Sequence, residues 1–345
     1  MVKKVICFMV LCLSLFSCGL GTGKKENNKL VIYSNSLSDG RDAFLKEEAS
    51  KNGFDLEFVS AGGGEIANRL IAEKNNPIAD VVFGPNEMEF LRLEKAGVLK
   101  PFKPNWVSEL DQSFIINKAD LYYPIVKQAT LFVYNTAKYN ESNLPKNWQD
   151  LWTKEEFKNK YEYDSNVRRS TMKKVIAGIL TPYRDDNSKD GISKEGWKQL
   201  KLFFDNGVKS VKGEDLYSHI ATNKVDFGAM YQSGVLPRNE QYKINTLPIP
   251  QEHGVPISTE QIALVKGSKN EEKAKQFINW FGSAKIQEKW SSKFSSIPVN
   301  KKAYEKIDEA TKEFEKNFTK QDLDWKFIEE HIEGWIEKIE LQILK

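Results

Sequence analysis

The sequence predicts an α/β fold divided into two lobes. Between Leu30 and Ala96, short apolar strands alternate with amphipathic helices, a pattern typical of a parallel sheet that is covered by helices on both faces. The chain has 345 residues, and the roughly 325 that follow its apolar N-terminal segment are enough for two packed lobes. A hydrophobic content of 40 % and a charged content of 29 % are ordinary for a globular protein.

Three strands are predicted first, at 30–33, 56–59 and 80–83, and a helix follows each of them. We expect these helices at 41–52, at 65–75 and up to Ala96. In open α/β sheets, ligands collect outside the carboxyl ends of the strands. Polar and glycine residues follow these ends and are candidate ligand-binding residues: Ser34, Asn35, Ser36, Gly62, Gly63, Gly64 and Asn86.

The second half of the chain predicts a different order of elements. The long apolar segment at 122–134 is expected to cross between the two lobes. Further helices are predicted at 148–161, 170–180, 194–204, 214–223, 271–281, 284–290 and from 302 onward. Strands are predicted at 225–230, 243–249 and 261–265.

The N-terminus has the features of a secretory signal. Lys3 and Lys4 precede an uncharged apolar run at 5–16, which is too short to span a bilayer as a helix. The run ends in Ser17 and Cys18, which look like the lipobox of a bacterial lipoprotein. We therefore expect a signal peptide at 1–17, a lipidated Cys18 and a flexible tether to residue 29. An ordinary signal peptide with a chance cysteine is the alternative.

Composition argues against several classes of function. With 51 basic and 48 acidic residues, the chain lacks the basic surplus that nucleic-acid binding favours. No cysteine follows Cys18, and the three histidines are not at metal-ligand spacing, which argues against thiol and zinc chemistry. The sequence contains no nucleophile elbow and no obvious carboxylate pair, so we do not expect an enzyme.

Several motifs resemble those of the substrate-binding proteins of ABC importers, in the branch that includes the ferric-iron-binding proteins. They are LVIYS at 30–34, IADVVF at 78–83, EKAGVL at 94–99, VKGSKN at 265–270 and SIPVN at 296–300. The resemblance implies a type II periplasmic-binding-protein fold, each lobe being a mixed sheet flanked by helices with the ligand cleft between the lobes. It also implies a monomer that delivers its ligand to a membrane permease with a cytoplasmic ATPase. The expected lobes are 30–128 with 250–300, and 129–249 with 301–345.

The iron site of that branch is not reproduced in this sequence. The family's adjacent tyrosine pair corresponds to Ser233 and Gly234 here, although Tyr231 lies close by. Ferric ion prefers anionic oxygen ligands, which serine, asparagine and glycine do not supply. Direct ligation of iron by protein groups alone is therefore not expected, and the metal ligands stay unassigned.

The remaining polar groups favour an anion. The glycines at 62–64 precede one helix, and Ser170 and Thr171, after Arg169, open another; relatives hold an anion at this second helix start. Two helix N-termini facing one cleft suit a phosphate or carboxylate. Further candidate ligand-binding residues are Tyr231, Ser233 and Glu260.

Each candidate has a structural alternative. The glycine run also suits a tight turn, residues 34–36 suit a loop, and Ser170 and Thr171 are common helix caps. Glu260 also suits a surface carboxylate and Tyr231 a core position.

We expect an extracytoplasmic binding lipoprotein, attached to the membrane only by its lipid, that captures a small anionic molecule or iron held with an anion. No cofactor is expected, and any ferric ion is cargo. A direct ferric-iron-binding transport protein is one alternative, and a sensor or adhesin on the same fold is another.

Overall fold

The computed structural model describes residues 29–117 and 119–344. The predicted signal peptide, Cys18 and nearly all of the predicted tether lie outside the described residues. Within the described part of the chain, no helix combines the length and the apolarity that a membrane span requires.

The strands, in chain order, form one continuous hydrogen-bonded array. They are β1 (Lys29–Ser34), β2 (Asp55–Ser60), β3 (Val81–Phe83), β4 (Leu99–Lys100), β5 (Tyr123–Asn135), β6 (Tyr161–Tyr163), β7 (Val208–Lys209), β8 (Phe227–Tyr231), β9 (Thr246–Pro248), β10 (Ile257–Val265) and β11 (Ile297–Pro298). The order across the array is β2-β1-β3-β10-β5-β8-β6-β7, with β4 on β10 and both β9 and β11 on β5.

The helices cover this array and are interspersed with short 3₁₀ turns. They are α1 (Arg41–Ser50), α2 (Gly63–Ala72), α3 (Glu87–Ala96), α4 (Asp150–Thr153), α5 (Ser170–Leu180), α6 (Lys194–Asp205), α7 (Leu216–Ala221), α8 (Val235–Tyr242), α9 (Glu271–Phe281), α10 (Ala284–Phe294), α11 (Lys301–Tyr304), α12 (Glu309–Glu315) and α13 (Trp325–Lys338).

Strand β5 belongs to both lobes. Its first half, up to Ala129, pairs with β10, and its second half, from Thr130, pairs with β8. Strands β1, β2 and β3 are mutually parallel, whereas β10 is antiparallel to β3 and β5, so the first sheet is mixed. The predicted two-lobe α/β fold with mixed sheets and a crossing strand is thereby confirmed.

The first lobe has a hydrophobic core on each face of its sheet because side chains alternate along β1. Ile32 packs with Phe281 and Trp290 on one face, and Tyr33 packs with Phe90 on the other. The second lobe has a separate core that includes Phe132, Trp148 and Phe203 together with residues of α13.

The predicted helix at 148–161 is wrong. Only the short helix α4 and a 3₁₀ turn at Glu155–Phe157 form there, and Tyr161 already belongs to strand β6. Asn159 has a positive φ of 57° and its backbone N–H bonds to Asn206, which turns the chain out of helical geometry. Helix α8, which follows Gly234, is absent from the sequence-based prediction.

Candidate ligand-binding site

The two lobes enclose a polar cavity of about 190 Å³, called here the inner cavity. It lies where the loops after β1 and β3 meet the beginning of α5. Eight of the thirteen predicted binding residues line it: Asn35, Ser36, Asn86, Ser170, Thr171, Tyr231, Ser233 and Glu260.

A tight loop after β1 forms the wall of the first lobe. Ser34 is fully buried behind this wall, and its Oγ accepts a hydrogen bond of 3.0 Å from the Ser36 N–H. Gly84, which follows β3 with a φ of +100°, packs against the same loop; a Cβ atom there would lie 2.5 Å from Asn35 Oδ1. The glycine therefore permits an approach between the two loops that no side chain would allow.

Asn86 connects the two lobes directly. Its Oδ1 accepts a hydrogen bond from the Met88 N–H and so caps α3, and its Nδ2 donates to Ser170 Oγ at 3.2 Å. Because Asn86 belongs to the first lobe and Ser170 to the second, this bond closes one side of the inner cavity.

A buried lysine lies one turn along α5 from Ser170. Lys174 is 5 % exposed, and its Nζ donates to Ser258 Oγ at 3.3 Å. No carboxylate within the described part of the chain lies at ion-pair distance from it. Burial lowers the pKa of Lys174, and the carboxylates of Glu87 and Glu260 partly offset this effect.

Lys174 was not among the predicted residues, although its spacing carried a usable signal. Residues i and i+4 share a helix face, so Lys174 follows Ser170 on the side of α5 that faces the cleft. Arg41 was missed too; it lines the inner cavity, pairs with Asp39 at 3.2 Å and lies over the ring of Phe294.

Two carboxylates lie close to Lys174. Glu260 lines the inner cavity and accepts a hydrogen bond of 3.3 Å from Gln128 Nε2; burial raises its pKa, and the neighbouring Ser36, Arg41 and Lys174 partly offset this effect. Glu87 lies behind the wall, where its Oε1 accepts bonds of 2.6 Å from the backbone N–H and the hydroxyl of Thr259. Burial raises the pKa of Glu87 to about 7, and its Oε2 atom has no hydrogen-bond partner.

Tyr231 contributes one phenol to the inner cavity. Its hydroxyl accepts a hydrogen bond of 3.2 Å from Arg238 Nη1. Gly234 packs against the same ring, since a Cβ atom there would lie 2.7 Å from it. Ser233 is buried and bonds to Gln128 at 2.8 Å.

The predicted glycine run lies outside the inner cavity. Gly62, Gly63 and Gly64 line a wider space of about 920 Å³, called here the outer cavity, which adjoins the inner one at Ser170 and Thr171. Helix α2 begins at Gly63, two residues before the predicted start.

A carboxylate of the protein lies at the start of α2. A Cβ atom on Gly64 would be 3.4 Å from Glu89 Oε1, and Glu89 pairs with Arg92 at 2.5 Å. Arg169 also lines the outer cavity, but its side chain is 63 % exposed and pairs with Asp164.

The described residues contain no group of three or more His, Cys, Asp or Glu side chains placed to hold a metal ion. The lining of the inner cavity combines hydroxyl and amide groups with the cations Lys174 and Arg41 and the carboxylate of Glu260. Such groups suit a small polar molecule.

A family model described as bacterial extracellular solute-binding protein matches residues 42–319. The chain belongs to this family. The solute-binding fold accounts for an inner cavity built from loops of two lobes on either side of a shared strand.

Individual relatives and solved structures agree with this assignment. A probable ABC transporter periplasmic-binding protein, y4fP, of Sinorhizobium fredii is 29 % identical over 314 residues, covering 91 % of this chain and 86 % of the relative. A putative 2-aminoethylphosphonate-binding periplasmic protein of Salmonella typhimurium is 26 % identical over 305 residues, covering 83 % of each. The ferric binding protein from Campylobacter jejuni is similar in fold, with a TM-score of 0.74 at 22 % identity, over 89 % of this chain and 97 % of that one.

Proposed function

We propose that this solute-binding protein serves an ABC importer and captures a small organic anion in the inner cavity. The observation that carries the proposal is Lys174, a buried ammonium group that faces a polar cavity without a carboxylate partner in the described part of the chain. Burying an unpaired charge is costly, and an anionic ligand offsets that cost.

The beginning of α5 supports the same ligand. The free N–H groups of a helix N-terminus favour negative charge, and Ser170 and Thr171 place hydroxyl donors beside them. A phosphate, phosphonate or carboxylate group is the chemistry that such donors bind. The Salmonella relative, whose name specifies a phosphonate ligand, is consistent with this class.

The side chains disfavour direct binding of ferric ion. Hard ferric ion needs several anionic oxygens, whereas the inner cavity offers Tyr231 and Glu260 together with the cations Lys174 and Arg41. Tyr123 packs in the core of the first lobe and adds no phenol to the inner cavity. The similarity to ferric binding proteins therefore concerns the fold.

We also propose where the protein acts in the cell. A lipid on Cys18 would hold the protein at the outer face of the cytoplasmic membrane as its only membrane attachment. There a monomer would release its ligand to a permease that is driven by a cytoplasmic ATPase.

Native mass spectrometry of the protein purified without added ligand tests the ligand class. We expect excess mass of a small organic molecule that disappears under denaturing conditions, and we expect the Lys174→Met variant to lack it. Excess mass equal to iron alone would overturn the proposal. If the protein purifies without ligand, we would instead measure its melting temperature with a panel of phosphonates, phosphate esters and carboxylates. A melting temperature that none of these compounds raises would also overturn the proposed function.

A further inference from the structure

The inner cavity carries opposite charges on different walls. Lys174 and Arg41 supply positive charge, and Glu260 supplies a carboxylate from strand β10. Glu260 forms no ion pair within residues 29–117 and 119–344, and its hydrogen-bond partner Gln128 is neutral; Arg41 and Lys174 act on it only from beyond ion-pair distance. Among the described residues, the ammonium of Lys174 is likewise bonded only to the neutral Ser258 hydroxyl.

These two charges are separate from each other. Lys174 and Glu260 line the same small space but form no ion pair, so neither neutralises the other at contact distance. A ligand carrying only negative charge would match the lysine and meet repulsion from Glu260. A ligand carrying only positive charge would be attracted by Glu260 and repelled by Lys174.

A spare acceptor lies on the same wall as Glu260. The side-chain oxygen of Asn35 is buried against Gly84 and has no hydrogen-bond partner, and the next residue, Ser36, lies close to Glu260. The ring of Tyr231 also lines this cavity. A carboxylate, a free amide oxygen and an aromatic ring are groups that bind an ammonium ion.

We infer that the ligand is a zwitterion, whose anionic group binds at Lys174 and the start of α5 and whose ammonium group binds at Glu260. This inference rests on the proposed function and narrows its ligand class. Glu260 then determines specificity, because it favours amino-substituted anions over the same anions without the amine.

Isothermal titration calorimetry with matched ligand pairs tests the inference. The pairs are 2-aminoethylphosphonate with ethylphosphonate, and β-alanine with propionate. The unmodified protein is expected to bind the amino member of at least one pair ten-fold or more tightly than its partner. In Glu260→Gln this preference should fall to within about three-fold, while the affinity for the amine-free anion is kept or improved.

Glu65→Gln is the matched control. Glu65 is an exposed carboxylate on α2 beside the outer cavity, and its removal should leave the preference unchanged. Retained binding of the amine-free anion shows that Glu260→Gln is folded.

The outcomes separate the two proposals. Equal binding of both members of each pair by the unmodified protein would overturn the zwitterion and leave the anion site standing. If Glu260→Gln still prefers the amino member of a pair, Glu260 is not the group that binds the ammonium. Failure of all four probes to bind would overturn the zwitterion inference, whereas the proposed function is overturned only if the wider panel of phosphonates, phosphate esters and carboxylates also fails.

Discussion

Two helix N-termini face the cleft, and their surroundings differ. At α5, Ser170 bonds across to the first lobe and Lys174 follows one turn later, inside the inner cavity. At α2, the glycine run opens onto the outer cavity, and the Glu89 carboxylate already lies beside Gly64. The helix dipole is similar in the two places, so the neighbouring side chains distinguish them. A helix start that is near a protein carboxylate has less to offer an anionic ligand than one that is near a buried lysine.

The largest effect should come from Lys174→Met. Loss of the buried ammonium removes the charge-assisted bond to the anion, and we expect affinity for the bound phosphonate or carboxylate to fall about 100-fold or more. Lys173→Met is the control, because Lys173 is equally buried but pairs with Glu333 at 2.6 Å. Calorimetry on both variants checks this; a similar loss in the two would remove the distinction between these neighbouring positions.

The pH dependence of the free energy of unfolding should reveal the raised pKa of Glu87, which lies behind the wall of the inner cavity. Burial raises the pKa of Glu87 from 4.5 to about 7. Between these values the unfolded chain has lost a proton that the native protein retains, so the free energy of unfolding should decrease as the pH rises, by roughly 1–3 kcal/mol. Urea unfolding from pH 4 to 8 measures this, and the slope should be shallower in Glu87→Gln. An unchanged slope would show that Glu87 is not its source.

A smaller effect is expected from Ser170→Ala. This change removes the hydrogen bond from Asn86 across the cleft and leaves the Asn86 cap on α3 intact. A single neutral hydrogen bond contributes about 0.5–1.5 kcal/mol, so affinity should fall roughly three- to ten-fold. Asn86→Ala should lower thermal stability in addition, by about 1 kcal/mol, because the cap is lost. Equal melting temperatures for the two variants would contradict this division of roles.

The smallest effect should be at α2. Gly64→Ala introduces only an ordinary contact with Glu89, and affinity should change less than two-fold. Gly62→Asp adds negative charge at the same helix start, where a Cβ atom has open space, and should also have little effect if no ligand anion lies there. A large loss in Gly62→Asp without unfolding would reverse the comparison and return the glycine run to the binding site.

Much of the fold follows from local sequence. Helices α5 and α9 begin and end where the pattern predicts, because apolar periodicity and the flanking polar residues agree there. The segment at 148–161 fails because its aromatic residues, among them Trp148 and Tyr161, pack into the second core as a turn and a strand. Tertiary packing overrides helix propensity in such a segment.

The sequence predicted which loops form the candidate site, but it did not predict the charged residues Lys174 and Arg41 that line it. The positions of Asn35, Asn86 and Ser170 in the cavity follow from the rule that ligands bind at strand ends and helix starts. Whether the glycine run reaches the same space depends on the width between the lobes, which no local pattern records. Lys174 and Arg41 look like ordinary helical residues until the two lobes are brought together.

The hydrogen bond between Asn86 and Ser170 has a consequence for transport energetics. It joins the lobes through protein groups alone, so it contributes to the closed shape whether or not cargo is inside. Closed empty protein is then more populated than it would be if cargo were the sole bridge. Such molecules compete with loaded ones for the permease, and the importer would hydrolyse some ATP without moving solute.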